Sequence, residues 1–272
     1  MTSPSERVEP ETVRRPDPRG SGLDSSTLLA RLPDASLWQL TVRESVGLTP
    51  SMRRIRFGAD DLAALSYEPG QDLMFSMPAD GRTFRRRYTI RRVDRTADLL
   101  DVDMVLHGDG PGARWAAGAA PGDGIEAIGP RGKAALDPAA AWHLFVADES
   151  ALPATFAMIE ALGPGSTAIA LIEVDGPAEE QPLAVPEGVD LSLRWLHRGG
   201  VPAGRSSVLA DALAEVALPA GAGRAYLNGE LKAVNGARTH LLGRGLGPDQ
   251  ILLKGYWRFG AANAAHGEPG RD

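Results

Sequence analysis

The sequence of 272 residues contains no cysteine. Disulfides, thiolate-held iron–sulfur clusters and zinc–thiolate sites are therefore excluded. Its five histidines, at positions 107, 143, 197, 240 and 266, never lie three or four residues apart. That spacing argues against a histidine metal site on one helix, and we predict no metal site. Any redox chemistry must then come from an organic cofactor that is bound without a covalent link.

Long apolar runs are missing as well. No segment approaches the ~20 apolar residues of a transmembrane helix, and residues 1–24 lack the apolar part of a secretory signal. We therefore expect a soluble, cytoplasmic protein with no membrane partner. An excess of basic charge is also absent, since 35 acidic and 29 basic side chains give a net charge of −6. This balance argues weakly against nucleic acid as a partner. Arginine is nevertheless clustered at positions 82, 85, 86, 87, 91 and 92, which is compatible with a local anion site.

The length is enough for two domains, and 43% of the residues are hydrophobic, so two cores are expected. Residues 1–35 and 261–272 are predicted to be disordered tails. Residues 36–137 are predicted to form an antiparallel six-stranded β-barrel, because short alternating segments are separated by turns that contain Gly or Pro. The segments are Trp38–Arg43, Met52–Phe57, Leu73–Met77, Phe84–Val93, Leu100–Leu106 and Ile125–Ile128, with a short helix near Ala113–Ala117.

Residues 138–260 are predicted to form an open parallel α/β sheet, because apolar β-segments alternate with segments of helical periodicity. The β-segments are His143–Ala147, Thr167–Val174, Leu191–Leu196, Arg224–Leu227 and Ile251–Leu253. The helical segments are Ala151–Leu162, Ser206–Val216 and Leu231–Leu242.

Two segments of the barrel have the chemistry to hold a flat, phosphorylated ligand. In a strand, Arg86 and Tyr88 share one face, and they can pair with a pyrophosphate and lie against a heteroaromatic ring. Thr89 follows them. The residues 107–115 form a glycine-rich loop before a helix, and backbone N–H groups in such a loop bind phosphate. An exposed basic strand and an ordinary turn explain the same residues, so local chemistry alone leaves the alternative open.

The segment Asp148-Glu149-Ser150-Ala151-Leu152-Pro153-Ala154 follows the first strand of the predicted parallel sheet. Ligands of such sheets bind beyond the carboxyl ends of the strands, and small residues with an early proline suit a tight turn into a helix. Helix capping by Asp148 or Ser150 is a sufficient alternative explanation. The Gly-x-Gly-x-x-Gly fingerprint of an ordinary dinucleotide fold is absent.

Taken in order, these segments resemble the siderophore-interacting protein family, flavin-dependent ferric-siderophore reductases within the ferredoxin-reductase-like superfamily. The resemblance rests on matching segments that start at Arg86, His107, Pro121, Gly129, Asp148, Trp195, Gly229 and Gly255, the last being Gly-Tyr-Trp-Arg-x-Gly. It implies a FAD-binding barrel, a following NAD(P)H-binding domain and a ferric siderophore as substrate. NADPH or NADH is the implied donor, a ferredoxin is a further candidate donor, and a monomer is expected.

The resemblance also implies roles for individual residues, none of them an acid–base catalyst. Flavin and its phosphates would be held by Arg86, Tyr88, Thr89, His107, Gly108, Gly112, Ala113 and Trp115. The nicotinamide side would be lined by Asp148, Glu149, Ser150, Ala151 and Glu230. Trp257 would return towards the flavin, although it could equally be a core aromatic. Arg258 and Lys254 would attract an anionic ferric siderophore.

The chain departs from the family at several positions. Ala113 replaces a usual serine, and losing one hydrogen bond to a charged group costs about 1.5–3 kcal/mol, so FAD is expected to bind more weakly. Met74 stands where a basic residue is common, and Asn228 and Ala147 replace small residues. Glu173 would repel a 2′-phosphate whereas Arg198 would attract one, which leaves NADH and NADPH open. A generic NAD(P)H–flavin oxidoreductase and a flavin-free siderophore- or metabolite-binding protein are alternative interpretations.

Overall fold

The computed structural model describes Leu29 and residues 35–106, 108, 110–133 and 135–260. The predictions for His107 and for almost all of the two terminal tails lie outside the described residues. Among the described helices, none is long and apolar enough to cross a membrane.

The first part of the chain forms a curled, antiparallel sheet of seven strands in the order β4-β3-β7-β1-β2-β6-β5. The strands are Ser36–Thr49 (β1), Met52–Gly58 (β2), Asp72–Ala79 (β3), Arg82–Thr89 (β4), Arg92–Asp94 (β5), Leu99–Val105 (β6) and Gly124–Arg131 (β7). Alternation places Leu100, Val102 and Met104 in the core, where all three are fully buried. The predicted architecture is confirmed, but the predicted count of six strands is wrong.

The additional strand arises because the predicted segment Phe84–Val93 bends at Ile90 and Arg91. The Ile90 N–H donates to the Gln71 carbonyl at 2.9 Å, and the Arg91 N–H donates to the Asp101 carbonyl at 3.0 Å. The chain thus leaves its partner β3 and joins β6 as the short β5. This crossing brings the two ends of the strand order together and curls the sheet. Alternation alone gives no sign of it, because Ile90 is as apolar as a strand residue would be.

One helix packs on this sheet. Pro111–Gly118 (α1) begins with proline, which is preorganised for the first turn of a helix. The Trp115 ring lies parallel to the Phe57 ring, with 6.1 Å between ring centroids. Trp115 therefore anchors α1 to the apolar core of the curled sheet. A 3₁₀ turn at Leu62–Ala64 also contributes Leu62 to that core.

The second part forms a parallel sheet in the order β10-β9-β8-β11-β12. Its elements are His143–Asp148 (β8), Leu152–Ile159 (α2), Thr167–Val174 (β9), Asp190–His197 (β10), Val208–Glu215 (α3), Arg224–Glu230 (β11), Leu231–Gly243 (α4) and Ile251–Trp257 (β12), with 3₁₀ turns at Pro177–Glu179 and Pro248–Gln250. Leu144 and Val146 pack with α3 and α4, whereas Phe145 packs with α2. The helices therefore cover both faces of the sheet. The strand order reverses between β8 and β11, which is where ligands bind in open α/β sheets.

The last strand is longer than the predicted Ile251–Leu253. Lys254 and Gly255 interrupt the apolar run, yet their backbones continue to pair with Asn228 and Gly229 of β11. Pairing with the neighbouring strand, rather than apolar pattern, decides where β12 ends. The extension carries Tyr256 and Trp257 to the carboxyl edge of the parallel sheet.

Polar contacts connect the two parts of the chain. The Arg91 guanidinium pairs with both carboxylate oxygens of Glu160 at 2.6 Å. The Thr49 and Ser51 hydroxyls donate to Glu179, and the Lys254 ammonium donates to Asp72 at 2.6 Å. These contacts set the curled sheet against the parallel sheet.

Candidate functional site

Tyr88 lies directly under the first turn of α1. A Cβ atom built at Gly112 would be 2.0 Å from the Tyr88 hydroxyl oxygen, so only glycine permits this approach. The Tyr88 ring also meets the Phe75 ring edge-on, with 5.8 Å between centroids. The structure therefore brings together Tyr88 and Gly112 of the glycine-rich segment, which are 24 positions apart in the sequence. Both belong to the predicted flavin-binding region, called the cradle below, whose described residues are Arg86, Tyr88, Thr89, Gly108, Gly112, Ala113 and Trp115.

Arg86 shares the Tyr88 face of β4 and has no carboxylate within ion-pair distance among the described residues. Its arginine neighbours differ, since Arg85 faces Glu126 at 3.6 Å and Arg87 pairs with Asp72 at 2.8 Å. Burial lowers the pKa of Arg86, so its charge is partly desolvated and not compensated by an acid. An arginine of this kind beside a helix start suits a phosphate group.

The hydroxyl of Tyr88 stays protonated at neutral pH. Burial raises the pKa of Tyr88 to about 12, although the nearby Arg86 acts in the opposite direction. Thr89, the next residue, is buried, with 4% of its surface exposed. The cradle thus presents a neutral aromatic ring, a hydroxyl group and one cation.

The remaining predicted residues of this cradle lie on or before α1. Gly108 has a φ of +72°, a left-handed conformation that favours glycine. Ala113 is half-buried in the first turn of α1, and Trp115 packs against Phe57. The assignment of these side chains to a cofactor stays a prediction, and packing accounts for Trp115 by itself.

Asp148 joins the ends of three strands of the parallel sheet. One carboxylate oxygen accepts from the Ser150 N–H at 2.9 Å and from the Ser150 hydroxyl. The other accepts from the Glu230 N–H and from the Trp257 indole N–H, both at 2.8 Å. Burial raises the pKa of Asp148, and these donors oppose that effect. The residues predicted for the nucleotide side, Asp148, Ser150 and Glu230, are therefore adjacent to one another and to Trp257, which was predicted to return towards the flavin. Asp148 orders the edge that they share.

Glu149 and Arg198 form a buried ion pair at the same edge. The two Arg198 terminal nitrogens lie 2.6 and 2.9 Å from the Glu149 oxygens, and Glu173 is 3.5 Å from the same guanidinium. Burial raises the pKa of Glu173 to about 7, with Arg198 opposing. The sequence analysis expected Glu173 to repel the 2′-phosphate of NADPH and Arg198 to attract it. In the structure they partly neutralise each other.

A cavity of about 1090 Å³ opens between α3 and α4 at this edge. Its acidic lining residues are engaged: Asp148 and Glu230 accept backbone N–H groups, and Glu173 faces Arg198. Its basic lining residues are Arg205, Lys232 and Arg258, all exposed and, within the described ranges, without a carboxylate partner. The Arg205 guanidinium lies over the Phe259 ring, 4.7 Å from its centroid. Arg205 and Lys232 escaped the sequence prediction because they are isolated in sequence and no local motif marks them.

The two predicted siderophore residues face different pockets. Arg258 lines the cavity between α3 and α4, whereas Lys254 lines a small pocket between the two sheets with Asp72, Arg87, Thr89 and Tyr256. Although only four positions apart, they do not converge on one ligand-sized space.

A curled antiparallel sheet that precedes a parallel sheet of this order is the fold of the ferredoxin reductases. The ferredoxin reductase in carbazole 1,9a-dioxygenase shares it with a TM-score of 0.66 at 16% identity over 82% of this chain and 70% of that chain. Residues 70–134 match the siderophore-interacting FAD-binding domain, and residues 140–260 match the siderophore-interacting protein model. The chain belongs to the siderophore-interacting protein family.

Individual relatives agree with this assignment. An uncharacterized protein of Mycobacterium tuberculosis is 39% identical over 200 residues, which are 70% of each chain. The ferric vibriobactin reductase ViuB of Vibrio cholerae is 33% identical over 187 residues, covering 67% of this chain and 68% of ViuB. The crystal structure of a siderophore utilization protein from T. fusca has a TM-score of 0.76 at 34% identity, covering 86% of this chain and 97% of that chain. These similarities support an oxidoreductase.

Proposed function

We propose that the protein reduces ferric siderophores, with FAD as its bound cofactor and NADH or NADPH as electron donor. The observation that carries the proposal is the cradle of Arg86, Tyr88 and Gly112 in a chain of the siderophore-interacting family. An arginine that has no acidic partner among the described residues, a neutral aromatic ring and a close helix start are what a flavin dinucleotide requires. The residues present therefore fit the cofactor.

In this proposal Arg86 and the first turn of α1 would hold the pyrophosphate, and Tyr88 and Thr89 would contact the flavin ring. When bound, FAD would supply the link between a two-electron hydride donor and a one-electron iron acceptor. Asp148 keeps the ends of β8, β11 and β12 in place. Reduced iron is held weakly by hard oxygen ligands, so reduction releases it from the chelate.

The cavity between α3 and α4 is the proposed site of the nicotinamide dinucleotide. It lies at the carboxyl edge next to the reversal of strand order. Arg205, Lys232 and Arg258 supply positive charge for the phosphates of that ligand, and Arg258 is thereby reassigned from the siderophore to the nucleotide. Lys254 stays beside Thr89, where an iron chelate would approach.

The decisive experiment measures iron(II) release, trapped by a chromogenic chelator, from several classes of ferric siderophore with NADH and with NADPH. The FAD-loaded protein is expected to release iron(II) well above a control with free FAD alone. Arg86→Gln is expected to lose FAD binding, as measured by flavin fluorescence. Arg85→Gln is the matched control, because Arg85 points to the opposite face and contacts Glu126.

Failure to exceed the free-FAD control with every chelate class would reject the reductase. Release without saturable siderophore binding would instead favour a generic flavin oxidoreductase. Colourless protein that takes up no FAD but still binds a chelate would favour the binding-protein alternative, for which Ala113 is the supporting residue.

A further inference from the structure

Asp72 is placed between two cations from different parts of the chain. Its two oxygens accept from the Nε and Nη2 atoms of Arg87 at 2.8 Å each. One of them also accepts from the Lys254 ammonium at 2.6 Å. Asp72 itself is 1% exposed, whereas the Lys254 side chain remains 19% exposed. Lys254 comes from β12 of the parallel sheet, and Asp72 from β3 of the curled sheet.

This triad lines an opening beside Thr89. The small pocket between the sheets is lined by Asp72, Arg87, Thr89, Lys254, Gly255 and Tyr256. If the proposed function is correct, Thr89 touches the flavin, and a ferric chelate that approaches the flavin passes this pocket, whose volume of about 30 Å³ is too small to hold the chelate itself. The charge on its walls then acts directly on an approaching ferric chelate.

Asp72 lowers that charge. Arg87 and Lys254 carry positive charge at the opening, and the buried Asp72 carboxylate offsets part of it. Burial acts to lower the pKa of Lys254, but the interactions of Lys254 with Tyr256 and with Asp72 together outweigh it and raise that pKa, so the ammonium stays charged at neutral pH.

We propose that Asp72 is a specificity-determining residue that sets which chelate charge is favoured at the opening. Its negative charge, held between Arg87 and Lys254, weakens the binding of strongly anionic ferric chelates relative to neutral ones. The inference rests on the proposed function. In a purely structural role, Asp72 would only hold β3 and β12 together, and its substitution would affect the binding of all chelates alike.

The test compares Asp72→Asn with the wild-type protein on two probes, a trianionic ferric tris-catecholate and a neutral ferric trihydroxamate. Binding is read from quenching of tryptophan fluorescence, and KM and kcat from iron(II) release. Asp72→Asn is expected to bind the trianionic chelate about tenfold more tightly and the neutral chelate unchanged within a factor of about two. The gain should shrink at ~0.5 M salt, as expected for a charge effect.

Asp103→Asn is the matched control. Asp103 is 3% exposed, pairs with Arg54 at 2.6 Å and lies 3.7 Å from Arg91, so it also serves two cations, but it is not among the residues that line the opening. It should lower the melting temperature without changing the preference between chelates. Lys254→Gln is a second variant, and it should bind the trianionic chelate more weakly than the wild-type protein does. The double variant of Asp72→Asn and Lys254→Gln should return to the wild-type preference.

Equal effects of Asp72→Asn on both chelates, no effect on either, or the same shift in Asp103→Asn would overturn the inference while leaving a working reductase. Absence of chelate binding and of iron(II) release in the wild-type protein would overturn the proposed function together with the inference.

Discussion

The hydroxyl of Tyr88 occupies the space that a side chain at position 112 would need, so the shape of the cradle depends on one glycine. The Tyr88 side chain is held in this position because its ring packs against Phe75. The motif that contains Gly112 was recognisable in the sequence. Its contact with Tyr88 was not, because the two residues belong to different elements, with β6 lying between them in the chain.

Gly112→Ala is expected to displace Tyr88 and weaken FAD binding at least about tenfold, with a stability loss of about 1–3 kcal/mol from overpacking. Flavin fluorescence quenching and thermal unfolding would measure the two effects. Gly118→Ala on the same helix is the control, since a Cβ there meets nothing within 4 Å. Equal FAD affinity in wild type and Gly112→Ala would contradict the proposed contact of Tyr88 with the flavin.

Glu173 makes stability depend on pH in a definite direction. Burial raises its pKa to about 7 in the folded protein, from an ordinary value of 4.5. The protonated form is therefore favoured by folding, and its contribution to stability is lost as pH rises from about 4.5 through about 7.

Glu173→Gln lacks this titration. Between pH 5 and pH 8, its free energy of unfolding relative to wild type should rise by about 2 kcal/mol. Urea denaturation at the two pH values measures this difference. Glu215→Gln, an exposed substitution on α3, should show no comparable change. A difference that stays constant with pH would show that Glu173 is ionised throughout.

Among the elements, α4 depends on a cap supplied by its own first flanking residue. The Glu230 side chain accepts from the Ala233 N–H at 2.8 Å and from the Phe259 N–H at 3.1 Å. One residue therefore ends β11, starts α4 and holds the chain after β12. Sequence reasoning placed Glu230 on the nucleotide side, and the structure adds this capping contact.

Glu230→Ala should reduce the free energy of unfolding by about 1–2 kcal/mol, the usual cost of a lost helix cap. Glu230→Gln retains one carbonyl oxygen for the Ala233 N–H but loses the acceptor for the Phe259 N–H, so it should recover only part of that loss. Chemical denaturation of the three proteins makes the comparison. If Gln destabilised as much as Ala, the negative charge rather than the cap would be the stabilising feature.

Element boundaries show where sequence patterns are insufficient. Apolar alternation located strands of the curled sheet, because alternation follows from burial of one face, and apolar segments between helical ones located the strands of the parallel sheet. It missed the bend at Ile90 and the extension of β12 to Trp257. Both depend on backbone pairing with a strand that is distant in sequence, and the pattern of apolar side chains does not indicate such pairing.

For the whole molecule, the relative placement of the two sheets depends on ion pairs between them. Arg91 forms two contacts of 2.6 Å with Glu160 and lies over the Phe156 ring, 5.8 Å from its centroid. Neither partner is marked by a motif for this contact. The site depends on such pairs, because the cradle lies on one sheet and the cavity on the other.

Glu160→Gln should lower the free energy of unfolding by about 1–3 kcal/mol, the range for losing one partner of a partly buried hydrogen-bonded charge pair. It should also separate the unfolding of the two parts, so that scanning calorimetry shows a broadened or double transition. Glu215→Gln again serves as control, since its contact with Arg194 at 3.4 Å lies within the parallel-sheet part and is exposed. A single sharp transition in Glu160→Gln would show that other contacts suffice to couple the sheets.

The order of β-segments and helices, the two-part architecture and the resemblance to the siderophore-interacting family follow from sequence alone. They rest on local periodicity and on short motifs, which neighbouring residues carry. Tertiary structure decided which charges are free. In the part of the chain that the structure describes, it gave Arg86 no acidic partner, engaged Asp148 and Arg198, placed Arg258 at a different pocket from Lys254, and set Asp72 between two cations. The physical reason is that the energy of a charge depends on its burial and its nearest partner, and both are contributed by residues far away in the chain.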